Sequence, residues 1–506
     1  MTICSAFLAA LALVCYAARV LRPTIITTII TTFMLFVAVL LPPADSVADR
    51  PAATAVAQHT SARRLRKRIG KLLARSPLRG VTTGIVVADA ASGEEWFRLR
   101  ADKSLNPAST LKLFTSAATL DRLGPDHHFS TWIAVDGDTA YLGGNGDPLL
   151  TTEDLRGLVA RAEESIRDGG PIRRIAVDTS AFAGGVLPPG FGKKKTDASY
   201  RAATGAVALD LGATRITVKP GREGKPPRVS VSPPGSYVVI DNKARTVSGK
   251  GSTIRVTLQP KGTRSLAVIT GKIGRRKKKG TSVRRRVEHP PMAAGYAFRA
   301  LLKRAGVRVS SRTPIVMEAT PAGARRLALH QSPPMHKILE EMNKHSNNFI
   351  AEMTLRAIGA AATRPGTWKS GKSAVNAFLA KRVGLPSGYR YNNGSGLYDG
   401  GRFSPRQVVR LLQYMNAHKH RDAYRDSLAV AGRSGTLSQR LKGANYAGRV
   451  IGKTGTLNSV SALSGYARNR GGRLLTFSII MNNTHKATHQ MRQIQDRICA
   501  LIVESR

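Results

Sequence analysis

The 506-residue sequence predicts a mixed α/β (α+β) protein, with a central antiparallel sheet flanked by helices and interrupted by a β-rich insertion of one or two small domains. Three observations predict it. A hairpin pattern beginning near Thr83 leads into a buried-helix pattern at Ser109. Short Val- and Ile-rich strands with many Gly and Pro fill the stretch after Asp136. Helices return near Met292, and a strand pair and a closing helix end the chain.

Taken in order, Arg19 and Arg22 precede an apolar, Thr-rich run from Thr24 to Leu41, followed by Pro42, Pro43 and the small residues of Ser46-Val47-Ala48. Residues 1–48 therefore read as an export signal. Cleavage and retention as an N-terminal membrane anchor through 24–41 both remain open, because about 18 apolar residues are nearly enough to span a bilayer. Residues 49–135 form the first part of the main domain. Arg63 to Arg75 alternates basic residues with Leu and Ile as a solvated surface helix does. Thr83 to Val87 and Trp96 to Leu99 are strands joined by a turn at Ala91-Ser92-Gly93, and from Ser109 a buried helix runs to Gly124-Pro125.

The insertion spans 136–290. It holds a helix at Leu155 to Arg167 and strands at Ile172 to Val177, Ala206 to Val218, Arg228 to Val231, Thr253 to Leu258 and Ser265 to Thr270, with basic clusters at Lys193 to Lys195, Arg275 to Lys279 and Arg284 to Arg286. Residues 291–506 complete the main domain. Helices are expected at Met292 to Ala305, Met335 to Ile358, Lys372 to Val383 and Ser404 to Asn416, strands at Ser459 to Tyr466 and Leu474 to Met481, and a last helix at Ile494 to Val503.

Composition narrows the function. The 79 Lys and Arg against 31 Asp and Glu give a formal charge of +48, more than solubility needs, and point to an anionic surface nearby: nucleic acid, anionic lipid or an anionic cell-wall polymer. Aromatics make up 6% and do not interleave with the basic clusters as base-stacking platforms do, which argues against nucleic acid. Of the three cysteines, Cys4 and Cys15 lie in the leader, so an exported domain would keep Cys499 alone, with no intrachain disulfide and no Cys-based zinc site. With no His-Glu-x-x-His string, neither a metal nor another cofactor is expected.

Three short strings carry the chemistry. Ser109-Thr110-Leu111-Lys112 opens a helix and sets a hydroxyl and an amine on one face, where a lysine of lowered pKa accepts the serine proton. Ser346-Asn347-Asn348 supplies a second hydroxyl and an amide within a helical segment. Lys453-Thr454-Gly455 stands just before the C-terminal strand pair, where a strand edge can bind an extended peptide and a lysine can attract a carboxylate. Each alone reads better as something ordinary: a chance match for the first, a helix cap or surface turn for the second, a basic turn for the third. In the order Ser-x-x-Lys, Ser-x-Asn, Lys-Thr-Gly they form the signature shared by β-lactamases and penicillin-binding proteins.

Over roughly Thr83 to Asn483 the chain resembles the low-molecular-mass class C penicillin-binding proteins, the serine-type D-alanyl-D-alanine carboxypeptidases and endopeptidases with a β-lactamase/transpeptidase-like domain. Flanking strings add to the resemblance: Asn106-Pro107-Ala108, Met342-Asn343-Lys344-His345, Ala351-Glu352 and Gly394-Ser395-Gly396-Leu397. So does the long separation, 233 residues, between Lys112 and Ser346. The resemblance implies that Ser109 is the nucleophile and Lys112 the general base, with Ser346 and Asn348 assisting proton transfer and substrate binding. It implies that Lys453 and Thr454 engage the terminal carboxylate, that Gly455 belongs to the same substrate-binding strand, and that the N–H groups of Ser109 and Thr456 form the oxyanion hole. It places Asp197 where relatives hold the amine of the third stem-peptide residue. Where relatives continue with Ser-Arg after the Gly-Ser-Gly-Leu string, this chain has Tyr398-Asp399, which suits a stem peptide lacking a diaminopimelate carboxylate.

The implied activity is removal of the terminal D-Ala of peptidoglycan stem peptides in the periplasm or extracytoplasmic wall space, with β-lactams as acylating inhibitors and D,D-endopeptidase action left open. Two rivals remain: a β-lactamase-like hydrolase, which the long insertion opposes, and a non-catalytic wall-binding protein, which the filled catalytic positions oppose.

Overall fold

The computed structural model describes residues 50–193, 196–484 and 487–506. The expected leader, 1–48, lies outside them, as do Lys194 and Lys195. Among the described residues no helix is long and apolar enough to cross a membrane. Residues 63–506 form one compact unit, and everything that follows concerns it.

Six antiparallel strands make the central sheet, in the order Ala429–Val430, Val450–Leu457, Val460–Arg468, Leu474–Asn482, Thr82–Asp89, Glu95–Leu99. The first and last parts of the chain thus meet through the Thr82–Asp89 and Leu474–Asn482 pairing. Alternation along Val460–Arg468 sends Ala462 and Tyr466 into the large helical core, where the Tyr466 hydroxyl donates to the Leu412 carbonyl (2.7 Å). Ser461 points the other way and accepts from Gln495 of the closing helix Thr488–Glu504 (3.0 Å). Helices therefore cover both faces. On the first face the helix Lys112–Leu123 packs against Met335–Lys344 and Asn348–Ala362, burying Leu113, Phe114, Ala117 and Leu120 against Ile338, Leu339, Ile350 and Met353.

Among the described residues the inserted region has two large hydrophobic cores and a small third cluster of Ala134, Tyr141 and Ala176. One lies on a five-stranded sheet, ordered Ile315–Met317, Arg174–Asp178, Thr139–Gly144, Ser130–Asp136, Arg325–Gln331, covered by helices Thr152–Asp168 and Pro290–Arg304. Strands on both sides of the expected 136 and 290 boundaries share this sheet. The other gathers Ile216, Val218, Tyr237, Val256, Ile269 and Ile273 of the 213–287 sheets, closed by Ala293 of the helix Pro290–Arg304.

Some elements differ from their expected form for identifiable reasons. The strand expected over Ala206 to Val218 begins only at Ala213, because Asp210, Leu211 and Gly212 take φ of +52°, +63° and +64° and turn the chain; the Asp210 carboxylate there accepts from the Thr152 N–H (3.0 Å) and hydroxyl (2.7 Å). The basic run Thr281–Arg286 is a strand with alternate residues exposed. The helix expected over Met335 to Ile358 is two helices, broken at Ser346 (φ +55°), with Asn347 capping the second by accepting from the Ile350 N–H (3.2 Å). Lys453-Thr454-Gly455 lies inside the strand Val450–Leu457 rather than before it.

Candidate active site

All three strings converge at the end of the helix Lys112–Leu123, in a cleft of about 760 Å³ lined by Ser109, Ser346, Asn348 and Thr456. Ser109 sits in the 3-10 turn Ala108–Leu111 that leads into this helix. The turn is forced: Ala108 adopts φ +47°, held as its N–H donates to Asn106 Oδ1 (2.9 Å). Two glycines let other segments reach it. A Cβ on Gly455 would meet the Pro107 carbonyl at 2.6 Å, and one on Gly396 would meet the Ala108 carbonyl at 2.0 Å. The glycine of the third string is therefore needed for close approach of the strand to the nucleophile turn.

Lys112 is fully buried, and its Nζ reaches Ser109 Oγ (3.0 Å), Asn348 Oδ1 (2.7 Å) and the Ser395 carbonyl (2.8 Å). Burial, and then the charge of Lys453, hold its pKa well below the usual lysine value, while the Glu352 carboxylate works the other way. As a neutral amine it has two N–H groups for the Asn348 and Ser395 oxygens, which leaves the lone pair facing Ser109. That is the arrangement of a base waiting for a hydroxyl proton. The Asn348 amide is fixed at both ends, since its Nδ2 donates to the Tyr200 carbonyl (3.0 Å).

A second hydroxyl–amine pair lies across the cleft. Lys453 Nζ donates to Ser346 Oγ (2.9 Å) and to the Thr454 carbonyl (2.9 Å), and burial lowers its pKa to about 7. The neighbouring strand Ala429–Val430 pairs with Gly452 and Ile451, and among the described residues the ladder leaves the 453–457 edge unpaired beside Ser109. Such an edge can take an extended peptide as an added strand. Thr454 Oγ1 donates to Thr436 Oγ1 (2.8 Å), and Arg492 donates to Thr456 Oγ1 (3.2 Å).

The structure thus brings Ser109, Lys112, Ser346, Asn348, Lys453, Thr454, Gly455 and Thr456 together. Asp197 does not line the cleft. Its carboxylate faces Arg285 (3.0 Å) and accepts from the Leu258 N–H (2.8 Å), so it ties the inserted region to itself. Sequence reasoning missed Tyr200, 55% exposed on the cleft wall, which the insertion carries to the catalytic domain. It also missed the Ser395 carbonyl, since a backbone acceptor leaves no mark in residue type. Glu352 entered only as part of a flanking string. Tyr398, at the departure from the family pattern, packs edge-on to Phe191 (5.9 Å) with Arg201 near its face (6.0 Å), while Asp399 pairs with Arg390 and Arg402.

A serine beside a buried amine at a helix start, faced by an open strand edge, defines a serine hydrolase that works through an acyl-enzyme on peptide-like amides. Residues 65–503 match the D-Ala-D-Ala carboxypeptidase 3 (S13) family. The chain belongs to that family and is a serine-type D-alanyl-D-alanine carboxypeptidase. It is 34% identical to a D-alanyl-D-alanine carboxypeptidase of Actinomadura sp. (strain R39), over 90% of this chain and 87% of that protein. It is 28% identical to a carboxypeptidase of Mycolicibacterium smegmatis, over 81% of this chain and 78% of that one. Its fold matches penicillin binding protein 4 of Haemophilus influenzae with a TM-score of 0.70 at 20% identity, covering 85% of this chain and 99% of that one.

Proposed function

We propose that Ser109 Oγ attacks the carbonyl carbon of the penultimate D-Ala while Lys112, as the neutral amine, takes its proton. The observation that carries this is the Lys112 geometry, with two N–H groups engaged and the remaining position at Ser109. A C–O ester bond forms and the C–N bond breaks. The proton reaches the departing D-Ala amine through the Ser346 hydroxyl, which Lys453 orients. Lys453 and Thr454 attract the terminal carboxylate, and the N–H groups of Ser109 and Thr456 stabilise the oxyanion. Water then hydrolyses the ester. A β-lactam acylates the same oxygen, its ring C–N bond opening in place of the peptide bond. Release of D-Ala from an uncross-linked pentapeptide tests the scheme: the wild type releases it and Ser109→Ala does not, whereas release by the variant overturns the assignment.

Three finer points belong to the same proposal. Tyr398 and the paired Asp399 stand where relatives have Ser-Arg, which favours a stem peptide whose third residue lacks a side-chain carboxylate; equal turnover of lysine and diaminopimelate stems would count against this. The inserted region takes in the strands Ser130–Asp136 and Arg325–Gln331, so its edges fall nearer 130 and 331 than 136 and 290. The enzyme works in the extracytoplasmic wall space, held electrostatically to an anionic wall or membrane surface. Support for that contact comes from the sheet of Thr281–Arg286, Ala213–Lys219 and Arg228–Ser232. Its exposed face sets Arg284 opposite Arg215 and Lys219 opposite Arg228, and among the described residues none of the four has an ion-pair partner.

A further inference from the structure

A fully buried carboxylate, Glu352, lies one turn along the helix Asn348–Ala362 from the second catalytic string. It makes no contact with the cleft surface. Instead Oε2 accepts from the Gly394 N–H (3.1 Å) and Oε1 from the Ser395 N–H (2.9 Å), so both oxygens are spent on one turn of backbone. That turn does two things for the helix of the nucleophile. The Ser395 carbonyl accepts from Lys112 Nζ (2.8 Å), and the Gly394 carbonyl accepts from the Thr115 hydroxyl (2.7 Å), one turn further on.

We infer that Glu352 is the positioning residue for the general base: its carboxylate clamps the 394–395 turn so that the Ser395 carbonyl fixes Lys112, and it is the acidic group facing that amine. The inference rests on the assignment of Lys112 as base and goes beyond it by naming what sets the orientation and proton affinity of that base. A carboxylate is the side chain that fits, because it offers two acceptor oxygens in one plane to two successive N–H donors. A glutamine in its place would present an NH₂ to one of those donors and lose a hydrogen bond in a site closed to water.

The charges around the pair are few. Lys112 faces Lys453 and Glu352, and Glu352 faces Lys112 and the phenol of Tyr391, which burial keeps neutral. Burial raises the Glu352 carboxyl, while the Ser395 hydroxyl, the two N–H groups and the Lys112 charge oppose that rise. For Lys112 the carboxylate is the raising influence against burial and Lys453. The sign of a charge-removing substitution follows. Without the carboxylate the Lys112 ammonium is less favoured, its pKa falls, and the acidic limb of the acylation rate moves to lower pH.

The experiment is the pH dependence of the second-order rate of acylation by benzylpenicillin, measured for the wild type, Glu352→Gln, Glu352→Asp and Ser109→Ala. Glu352→Gln is expected to lose roughly 10–100-fold in plateau rate, as for a lost positioning contact, and to shift its acidic limb down by about one pH unit. Glu352→Asp keeps the charge on a shorter arm, so its limb stays within about 0.3 unit of the wild type while its rate falls less than that of Glu352→Gln. A limb that does not move in Glu352→Gln overturns the inference. If that variant does not fold, Glu352→Asp decides by itself: a rate equal to the wild type overturns the positioning role, and a reduced rate with an unmoved limb supports it. Acylation persisting in Ser109→Ala would mean that the assignment of the nucleophile has failed, whereas its loss alongside wild-type behaviour in both Glu352 variants sinks the Glu352 inference alone.

Discussion

In the cleft, Lys112 and Lys453 are fully buried and each Nζ is held by oxygens at 2.7–3.0 Å. In the lobe spanning 213–287, Arg215, Lys219, Arg228 and Arg284 stand exposed in like-charge cross-strand pairs. The same residue types serve opposite ends. Where water is excluded, a cation is costly and its proton affinity becomes adjustable, which suits acid–base chemistry. Where water is present, like charges repel across the strands by on the order of a few tenths of a kcal/mol, and the exposed cations are available to an external anion. If this contrast holds, changes in the cleft should alter rate and pH dependence, and changes in the lobe should alter salt dependence.

The sharpest way to break it is Lys112→Met. Removing the base while leaving an apolar side chain of similar length should lower both penicillin acylation and D-Ala release by about 10³-fold or more, and stopped-flow acylation rates would show it. Asn348→Ala removes one of the two acceptors that aim the amine and should reduce acylation by roughly 10²-fold, with the Tyr200 carbonyl left without its donor.

Lys453 tests the cost of buried charge. Its folded pKa is depressed to about 7 from 10.5, so the unfolded state binds more protons between those values and folding stability rises with pH across that window. Below pH 7 the buried ammonium penalises the fold most. Lys453→Met should therefore raise stability by about 1–3 kcal/mol at pH 6, a gain that shrinks toward pH 10, while abolishing turnover; urea denaturation at several pH values would measure it. A gain independent of pH would show that burial of charge is not its source.

The smallest effects belong to the lobe. Replacing Arg215, Lys219, Arg228 and Arg284 together by serine should leave turnover of a soluble pentapeptide within about twofold, since none of the four lines the cleft. Stability should rise by less than about 1 kcal/mol, and binding to isolated cell wall should weaken with a flatter salt dependence. Wall binding that is insensitive to salt in the parent protein would remove the electrostatic reading.

How much of this was legible in the sequence depends on whether a feature is local. Ser109 with Lys112, Ser346 with Asn348, and Lys453 to Gly455 are short strings whose spacing carries their chemistry, and they could be read directly. The helix break at Ser346 was half legible: Ser346-Asn347-Asn348 also read as a helix cap, which Asn347 is, but apolar periodicity continuing from Met335 to Ile358 hid the break. Thr281–Arg286 was legible as charge and not as a strand, since alternation with a single small apolar residue is weak. Tyr200 and the Ser395 carbonyl reach the site through tertiary docking, one from the inserted region and one from backbone. Asp197 shows the converse: its residue type fitted the family pattern, while its partners, Arg285 and Leu258, belong to the insertion.

The most direct test is peptide mapping of the protein after exposure to benzylpenicillin. A single penicilloyl adduct on the peptide carrying Ser109, absent from Ser109→Ala, is the expected result. An adduct on any other residue, or one of unchanged yield in the variant, would contradict the convergence of the three strings on that hydroxyl.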